Sequence, residues 1–259
     1  MGQQEFADRS VLVTGASSGI GKATALAFAA CGANLALVGR DVDRLRETVN
    51  DCQKQGASRL SSLPIDVTDA GAAARILDQA LASLGRLDIV VNAAGIIASQ
   101  PAVETSDEDF TRMFDVNVRA LFSISREAIP HLRTTTGNIV NVSSVAGLRP
   151  YPGILAYCAS KAAVDQITRC LAVELGPDRI RVNAVNPGVV VTNLHRAGGM
   201  DEAAYAAFLE RGKETHPLGR VGQADEVAEA ILFLASERAA WITGATLSVD
   251  GGRAQTSQR

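Results

Sequence analysis

Short runs of Val, Ile and Leu recur along the chain, separated by longer stretches in which apolar residues return every three or four positions. The first pattern suits strands buried on both faces of a parallel sheet, and the second suits helices packed against it. The strand runs are VLVTG (11–15), NLALVG (34–39), SSLPIDV (61–67), LDIVVNAAG (87–95), GNIVNVSS (137–144), RIRVNAVNPG (179–188) and ATLSVDGG (245–252). Helical periodicity fills residues 21–31, 42–55, 70–84, 107–132, 155–175 and 224–236. Ser106-Asp107-Glu108-Asp109 reads as a helix start, with a capping hydroxyl followed by acids where the helix dipole favours them. Right-handed crossovers then give a doubly wound, seven-stranded parallel sheet flanked by helices on both faces, with its ligand site at the C-terminal ends of the strands. No linker divides the chain, so residues 1–259 are expected to form one domain, with a segment at about 189–220 covering the substrate and a loosely ordered polar tail at about 253–259.

Composition narrows the function. A net charge of -3 with scattered basic residues argues against nucleic acid. No apolar stretch approaches the ~20 residues needed to span a bilayer, and the N-terminus has no apolar signal core. Cys31, Cys52, Cys158 and Cys170 show no CxxC or Cys/His ligand spacing, which favours buried, reduced thiols in a cytoplasmic protein. His131, His195 and His216 are widely spaced without ligand partners, so no metal site is expected and solvated or capping roles are.

The unusual residues cluster at the strand ends. In TGASSGIGKAT (14–24), Gly21-Lys22 mimics a nucleotide-triphosphate loop, but Ala16 stands where that loop needs glycine and Ala23 where it needs a hydroxyl. Lys22 then reads as a solvated residue in the first turn of a helix. Gly15 permits a tight turn, Gly19 lets the backbone approach a phosphate, and Gly21 lets the helix pack on the strand. NAAG (92–95) leaves room for a flat ligand, and Asn92 either bonds neighbouring backbone or is a satisfied polar strand end. Asp66 either faces an adenine amino group or caps the next helix. In YCASK (157–161), Tyr157 and Lys161 lie one helical turn apart and project from one face. An ammonium beside a phenol favours the phenolate, so Lys161 is expected to lower the pKa of Tyr157. Ser144 ends the fifth strand, where its hydroxyl would hold a carbonyl oxygen; Ser143 is its rival.

Together these motifs resemble the classical short-chain dehydrogenase/reductase family over nearly the whole chain, from TGASSGIG through NAAG, DVNV, NVSS, YCASK and NPG to VDGG. The resemblance implies a Rossmann-type fold, Tyr157 as general acid/base, Ser144 polarising the substrate carbonyl, and Lys161 also binding the nicotinamide ribose. It places Asn117 where a helix kinks and a proton-relay water is held. It brings Ser18, Ile20, Val67, Ala93, Gly95, Pro187 and Gly188 to the cofactor, with the Val190 backbone and the Thr192 hydroxyl on the carboxamide. It further suggests a homotetramer joined through residues 107–132, 155–175 and the last strand. A non-catalytic dinucleotide-binding regulator is the reading from another class, but Asn117, Ser144, Tyr157 and Lys161 are all in place.

Cofactor and substrate are less sharply drawn. The second strand ends LVGRD; with Gly39 at the position that selects the ribose, Arg40 and Ser17 would meet a 2'-phosphate, favouring NADP(H) over NAD(H). A shift of one residue would bring Asp41 there instead and favour NAD(H). Leu148, Tyr151, Ile154, Val189 and Leu194 suggest a mostly apolar substrate pocket, and no extra cationic cluster in the covering segment demands an anionic head group. Gly198-Gly199 would hinge a short helix bearing Tyr205, Phe208 and Leu209. PLGRVGQADEVAEAILFLAS with ITGATLSVDGG resembles the 3-oxoacyl-acyl-carrier-protein reductase-like branch of the family. A 3-oxoacyl thioester or a small apolar ketone is therefore the expected substrate, with NAD-dependent oxidation of a sugar, polyol or steroid alcohol as the alternative.

Overall fold

Alternate residues of the same strands face two different apolar layers, and that alternation builds the molecule. A computed structural model describes residues 4–256. Its strands are β1 (Ser10–Thr14), β2 (Asn34–Val38), β3 (Leu60–Leu63), β4 (Ile89–Asn92), β5 (Asn138–Val142), β6 (Arg181–Pro187) and β7 (Thr246–Val249). They form one parallel sheet in the order β3-β2-β1-β4-β5-β6-β7. Val11, Val13, Leu35, Leu37 and Val91 point into one core with Ala25 and Phe28 of α1 (Gly19–Ala30), Leu45 of α2 (Val42–Lys54) and Ile231 of α9 (Ala224–Ala235). Leu12, Ala36, Val90 and Ile139 point the other way, onto Ile76 of α3 (Ala72–Leu84), Ile124 of α5 (Ala120–Thr135) and Leu171 of α6 (Leu155–Leu175). Strand residues of period two thus serve both helical layers, which is why the runs read as continuously apolar. At the edges, β3 and β7 are only partly buried.

The chain passes from β3 across to β4, which pairs with the other side of β1. That reversal is the switch point, and it opens a crevice at the strand ends. Thr14, ending β1, spans it: its hydroxyl accepts the N–H groups of Ala93 and Ala94, each at 3.1 Å.

The fourth and seventh strands stop at Asn92 and Val249, short of the expected 95 and 252, and two further elements differ. The third strand stops at Leu63 rather than 67, because Pro64 has no N–H to give the ladder. Asp66 and Val67 consequently sit in the loop beyond it. The helix expected over 107–132 is three pieces: α4 (Asp107–Phe114), a π-helical turn (Asp115–Arg119), and α5, which continues to Thr135. Ser106 caps α4 by accepting from the Asp109 N–H at 3.1 Å.

The thiols divide. Cys31 and Cys52 are buried, and burial pushes Cys52 up to about 12. Cys158 is half-buried and Cys170 exposed, against the expectation of four buried thiols.

Candidate active site

A cavity of about 1070 Å³ lies along the switch point. Of the residues singled out above as catalytic, cofactor-binding or substrate-binding, all line it except Asn92, Asn117 and Leu148. Its floor is the turn from β1 into α1. Gly15 and Gly19 have left-handed backbone (φ +67° and +53°), which side chains resist. A Cβ at Gly21 would lie 2.2 Å from the Gly15 carbonyl oxygen, and one at Gly15 would lie 2.8 Å from the Ala93 oxygen. Thr192 packs 3.2 Å from where a Gly19 Cβ would stand. Ser18 sits at the N-cap, yet no side chain caps the helix and no acid occupies its first turn. The N–H groups at that end are therefore open to an anion, as a dinucleotide pyrophosphate requires. Lys22 turns away to pair with Asp51 of α2 at 2.9 Å, so it is neither a phosphate ligand nor merely solvated.

At the end of β2, Gly39 leaves space: a Cβ there would press on the Ser17 side chain at 3.1 Å. Arg40 and Arg44 both line this end of the cavity. Asp41 is the N-cap of α2, its carboxylate accepting the Arg44 N–H at 3.0 Å and lying 3.3 Å from the Arg44 guanidinium. Asp66 is engaged too. It accepts the Thr68 N–H and hydroxyl and lies 3.4 Å from Arg40. Burial raises its pKa, but the two Thr68 bonds and then Arg40 outweigh that and hold it below the usual carboxylate value. Asp66 therefore does not cap the next helix, whose N-cap is Gly71, and it stays on the cavity wall; the signal that was missed here is Arg44.

Of its two readings Asn92 takes the polar strand end. It lies off the cavity wall, its amide donating to Asn141 of β5 at 2.9 Å and to Ser125 of α5 at 3.1 Å, so it braces β4 through side chains rather than bonding backbone. Asn117 lies in the π turn, consistent with the bend that the resemblance implies. Its amide is held by protein: Oδ1 accepts the Ile96 N–H at 2.9 Å, and Nδ2 donates to the Ile96 carbonyl and the Ser160 hydroxyl, each at 3.0 Å. It fixes the chain just after Gly95, whose missing side chain leaves room beside Asn117 and Lys161.

Ser144, Tyr157 and Lys161 are all buried at the cavity wall. The Ser144 hydroxyl lies close enough to the Tyr157 phenol to lower its pKa, and accepts the Ala146 N–H at 3.1 Å. Ser143 instead donates to the Lys161 carbonyl at 3.1 Å. The Lys161 ammonium donates to the Val142 carbonyl at 2.8 Å and stands 5.7 Å from the centre of the Tyr157 ring. Burial pushes Tyr157 up to about 12 against the lowering bond from Ser144, and burial brings Lys161 down to about 8. The expected lowering of Tyr157 is therefore absent in the protein alone, because desolvation outweighs a charge that does not touch the phenol.

Two residues went unnoticed in the sequence. Asp165, one turn after Lys161, and Asn186, ending β6, are fully buried together; the Asn186 amide donates to both Asp165 oxygens at 3.1 and 3.0 Å and to the Ser144 carbonyl at 2.9 Å. They fix the backbone from which Ser144 projects. The i,i+4 spacing of Lys161 and Asp165 was the available signal.

The covering segment forms α7 (Leu194–Ala197) and α8 (Glu202–Thr215), separated by Gly198-Gly199 as expected. Tyr205 is buried, its hydroxyl donating to the Thr192 carbonyl at 2.9 Å. His195 packs on Phe208, ring centres 4.4 Å apart and planes tilted by 52°, and lines the cavity, whereas Leu148 does not line it. His216 is not solvated: 2 % exposed, it makes a 2.6 Å bond to the Gly212 carbonyl through Nδ1, which leaves Nε2 to accept the Val189 N–H at 3.1 Å. Only the neutral ring serves both. Burial depresses its pKa below the usual 6.5, with Arg253 adding to the depression and the Gly212 carbonyl and Asp250 opposing it. The folded protein thus takes up this proton less readily than the unfolded chain, so its contribution is complete above pH 6.5 and is lost as pH falls below it. His216→Leu is expected to destabilise the protein by about 1–3 kcal/mol at neutral pH and to flatten the acid side of the stability profile, read as melting temperature between about pH 5 and 7. An unchanged acid limb would remove His216 from this role.

Among the described residues, no group of three or more His, Cys, Asp and Glu is placed to hold a metal ion, and no helix is long and apolar enough to cross a membrane.

An uncapped glycine turn at a switch point, facing a buried Ser–Tyr pair above a lysine, defines an NAD(P)-dependent oxidoreductase acting on CH–OH groups. The comparisons with known proteins agree. The family model described as "Enoyl-(Acyl carrier protein) reductase" matches residues 15–254. The chain is 40% identical over 249 residues to L-xylulose reductase of Mesocricetus auratus, covering 95% of this chain and 97% of that one. It is 37% identical over 245 residues to a 3-oxoacyl-[acyl-carrier-protein] reductase of Thermotoga maritima, covering 93% and 96%. A short-chain dehydrogenase/reductase of unknown function from Caenorhabditis elegans, solved with cofactor, superposes with a TM-score of 0.93 at 35% identity, covering 97% of both chains. The chain belongs to the short-chain dehydrogenase/reductase family.

Proposed function

We propose that the chain is an NADP(H)-dependent carbonyl reductase that interconverts a ketone and a secondary alcohol with Tyr157 as general acid/base. The observation that carries this is the placement of Ser144, Tyr157 and Lys161, all buried, on the wall of the cavity that the glycine turn floors. When bound, the reduced nicotinamide supplies a hydride to the carbonyl carbon. Ser144 and Tyr157 hydrogen-bond the carbonyl oxygen, and Tyr157, a protonated phenol at neutral pH, gives its proton to the forming alkoxide. Lys161 stabilises the phenolate left behind and holds the ribose, while Asn117 positions the chain around Gly95.

Residues 1–259 act as one unit in this reading. The α1 turn takes the pyrophosphate, the Ala93–Gly95 and Pro187–Thr192 segments take the nicotinamide end, and residues 189–220 cover the substrate. NADP(H) is favoured because Arg40 and Arg44 flank the space above Gly39 while Asp41 is committed to capping α2. Arg40→Ala is expected to weaken NADPH by about 10–100-fold, as loss of one charge-assisted bond does, and NADH by much less; dissociation constants from fluorescence titration decide it. Equal losses would return the choice to NAD(H).

The substrate is a small ketone reaching Ser144 past Tyr151, Val189 and Leu194. The similarity to L-xylulose reductase favours a short ketose as a second reading. Consumption of NADPH and NADH against ketones, 3-oxoacyl thioesters and ketoses tests both, and failure of every carbonyl with either nucleotide would leave the non-catalytic regulator standing. We also place the protein in the cytoplasm as a homotetramer. Phe122 on α5, Val173 on α6 and Trp241 before β7 supply exposed apolar surface for that assembly, which sedimentation can test.

A further inference from the structure

The chain after β7 is a strap fixed from both sides. Gly251 and Gly252 turn it with φ of +57° and +87°. The Asp250 carboxylate then accepts the N–H groups of Gly252 at 2.9 Å and Ala254 at 2.7 Å. From the other side Arg149 donates to the carbonyls of Arg253 at 3.1 Å and Ala254 at 3.3 Å, and also to that of Thr256. Residues 253–255 form a helical turn rather than a loose tail, and residues 257–259 lie outside the described residues.

What the strap holds in place is the Arg253 side chain, on the cavity wall. Its Nε lies 3.4 Å from the Tyr151 hydroxyl and its guanidinium carbon 5.1 Å from the centre of that ring. Tyr151 packs in turn against the apolar cluster that contains Tyr157. No carboxylate among the described residues forms an ion pair with Arg253, since Asp250 is bonded to main-chain N–H groups. The other acids on the wall are committed as well: Asp41 and Asp66 at the dinucleotide end, and Asp109 to the Ser106 hydroxyl at 2.8 Å. In a chain of net charge -3, a half-buried cation without a counter-charge, on a backbone braced at five points, is set to meet an anion from outside.

We propose that Arg253 determines substrate specificity and that the substrate is an oxo acid, a ketone whose carboxylate pairs with Arg253 while its carbonyl lies at Ser144 and Tyr157. This rests on the carbonyl-reductase reading above. With Nε on Tyr151, the guanidinium keeps the edge formed by its two terminal nitrogens, whose parallel N–H groups match the two oxygens of a carboxylate. The expectation of an apolar pocket is thereby revised, since the C-terminal strap brings a cation to a cavity wall that Arg112 of α4 and Arg211 of α8 also line.

The test uses matched pairs, 4-oxopentanoate and 5-oxohexanoate against their methyl esters, titrated calorimetrically into the NADP⁺-loaded protein and into Arg253→Met. Arg149 bonds only the main chain of the strap, so this variant keeps that brace. In the unmutated protein at least one acid is expected to bind tenfold or more tighter than its ester, and in Arg253→Met that ratio is expected to collapse toward one. Equal binding of acid and ester before mutation, retention of the preference after it, or a preference found only for a phosphorylated ketone would overturn the proposal. NADPH-dependent reduction of the esters is read separately. Turnover of esters with no acid preference leaves the reductase standing without this inference, and acid-selective binding without turnover of any ketone does the reverse.

Discussion

Tyr157→Phe is expected to lower the rate of carbonyl reduction by about 10²–10⁴-fold, the range for losing a positioned proton donor, while NADPH affinity stays within a factor of a few. Phenylalanine keeps the ring that packs with Ala146, Met113 and Ala156, so the wall of the cavity persists. What disappears is the oxygen close to Ser144. Because burial holds that phenol protonated at pH 7, it is placed to give a proton rather than to take one. Single-turnover kinetics beside nucleotide titration separate the two effects. Comparable turnover by the variant would take Tyr157 out of the chemistry, and a parallel collapse of NADPH binding would make its role structural.

Lys161→Met is expected to do two opposite things. The ammonium is buried, contacts the Val142 carbonyl, and has its pKa depressed by burial to about 8 from 10.5, with Asp165 opposing. The sign is therefore unfavourable to folding: the folded state holds this proton less tightly than the unfolded chain, so charged Lys161 costs stability at pH 7 and the cost fades as pH rises from about 8 toward 10.5. That depression corresponds to about 3 kcal/mol. A methionine of similar length should recover about 1–3 kcal/mol, raising the melting temperature by roughly 2–10 °C at pH 7 and less at pH 10. Catalysis should fall by about 10²-fold or more, since the phenolate left after proton transfer loses its counter-charge. Thermal melts at the two pH values, beside steady-state rates, decide it. A variant less stable at pH 7, or fully active, would contradict the argument.

Much of this site could be read in the sequence because its pieces are local. The glycines of the first turn, the Tyr157–Lys161 spacing and the hydroxyl ending β5 each declare themselves within a few residues, and their order along the chain fixed the fold class. The contacts that escaped are made between distant segments. Asn186 holds Asp165 and the Ser144 backbone across the sheet end, and Arg253 reaches Tyr151 from 102 residues away. Polarity misled in one direction as well. The tail RAQTSQR looked loosely ordered by composition, yet Arg149 and Asp250 brace its first residues, a pairing that no periodicity reveals. For Asn92 the sequence left two readings open, and only the cross-strand bond to Asn141 decides between them.

The two anchors of the covering segment have a mechanical consequence. Tyr205, near the start of α8, is tied to the backbone of Thr192, and His216, just past its end, is tied to that of Val189. The helix therefore cannot swing as a hinged flap on the glycines beside it. On the reading proposed above, lifting it would drag the loop assigned to the nicotinamide, which would make uncovering the substrate and slackening the grip on the dinucleotide one opening event.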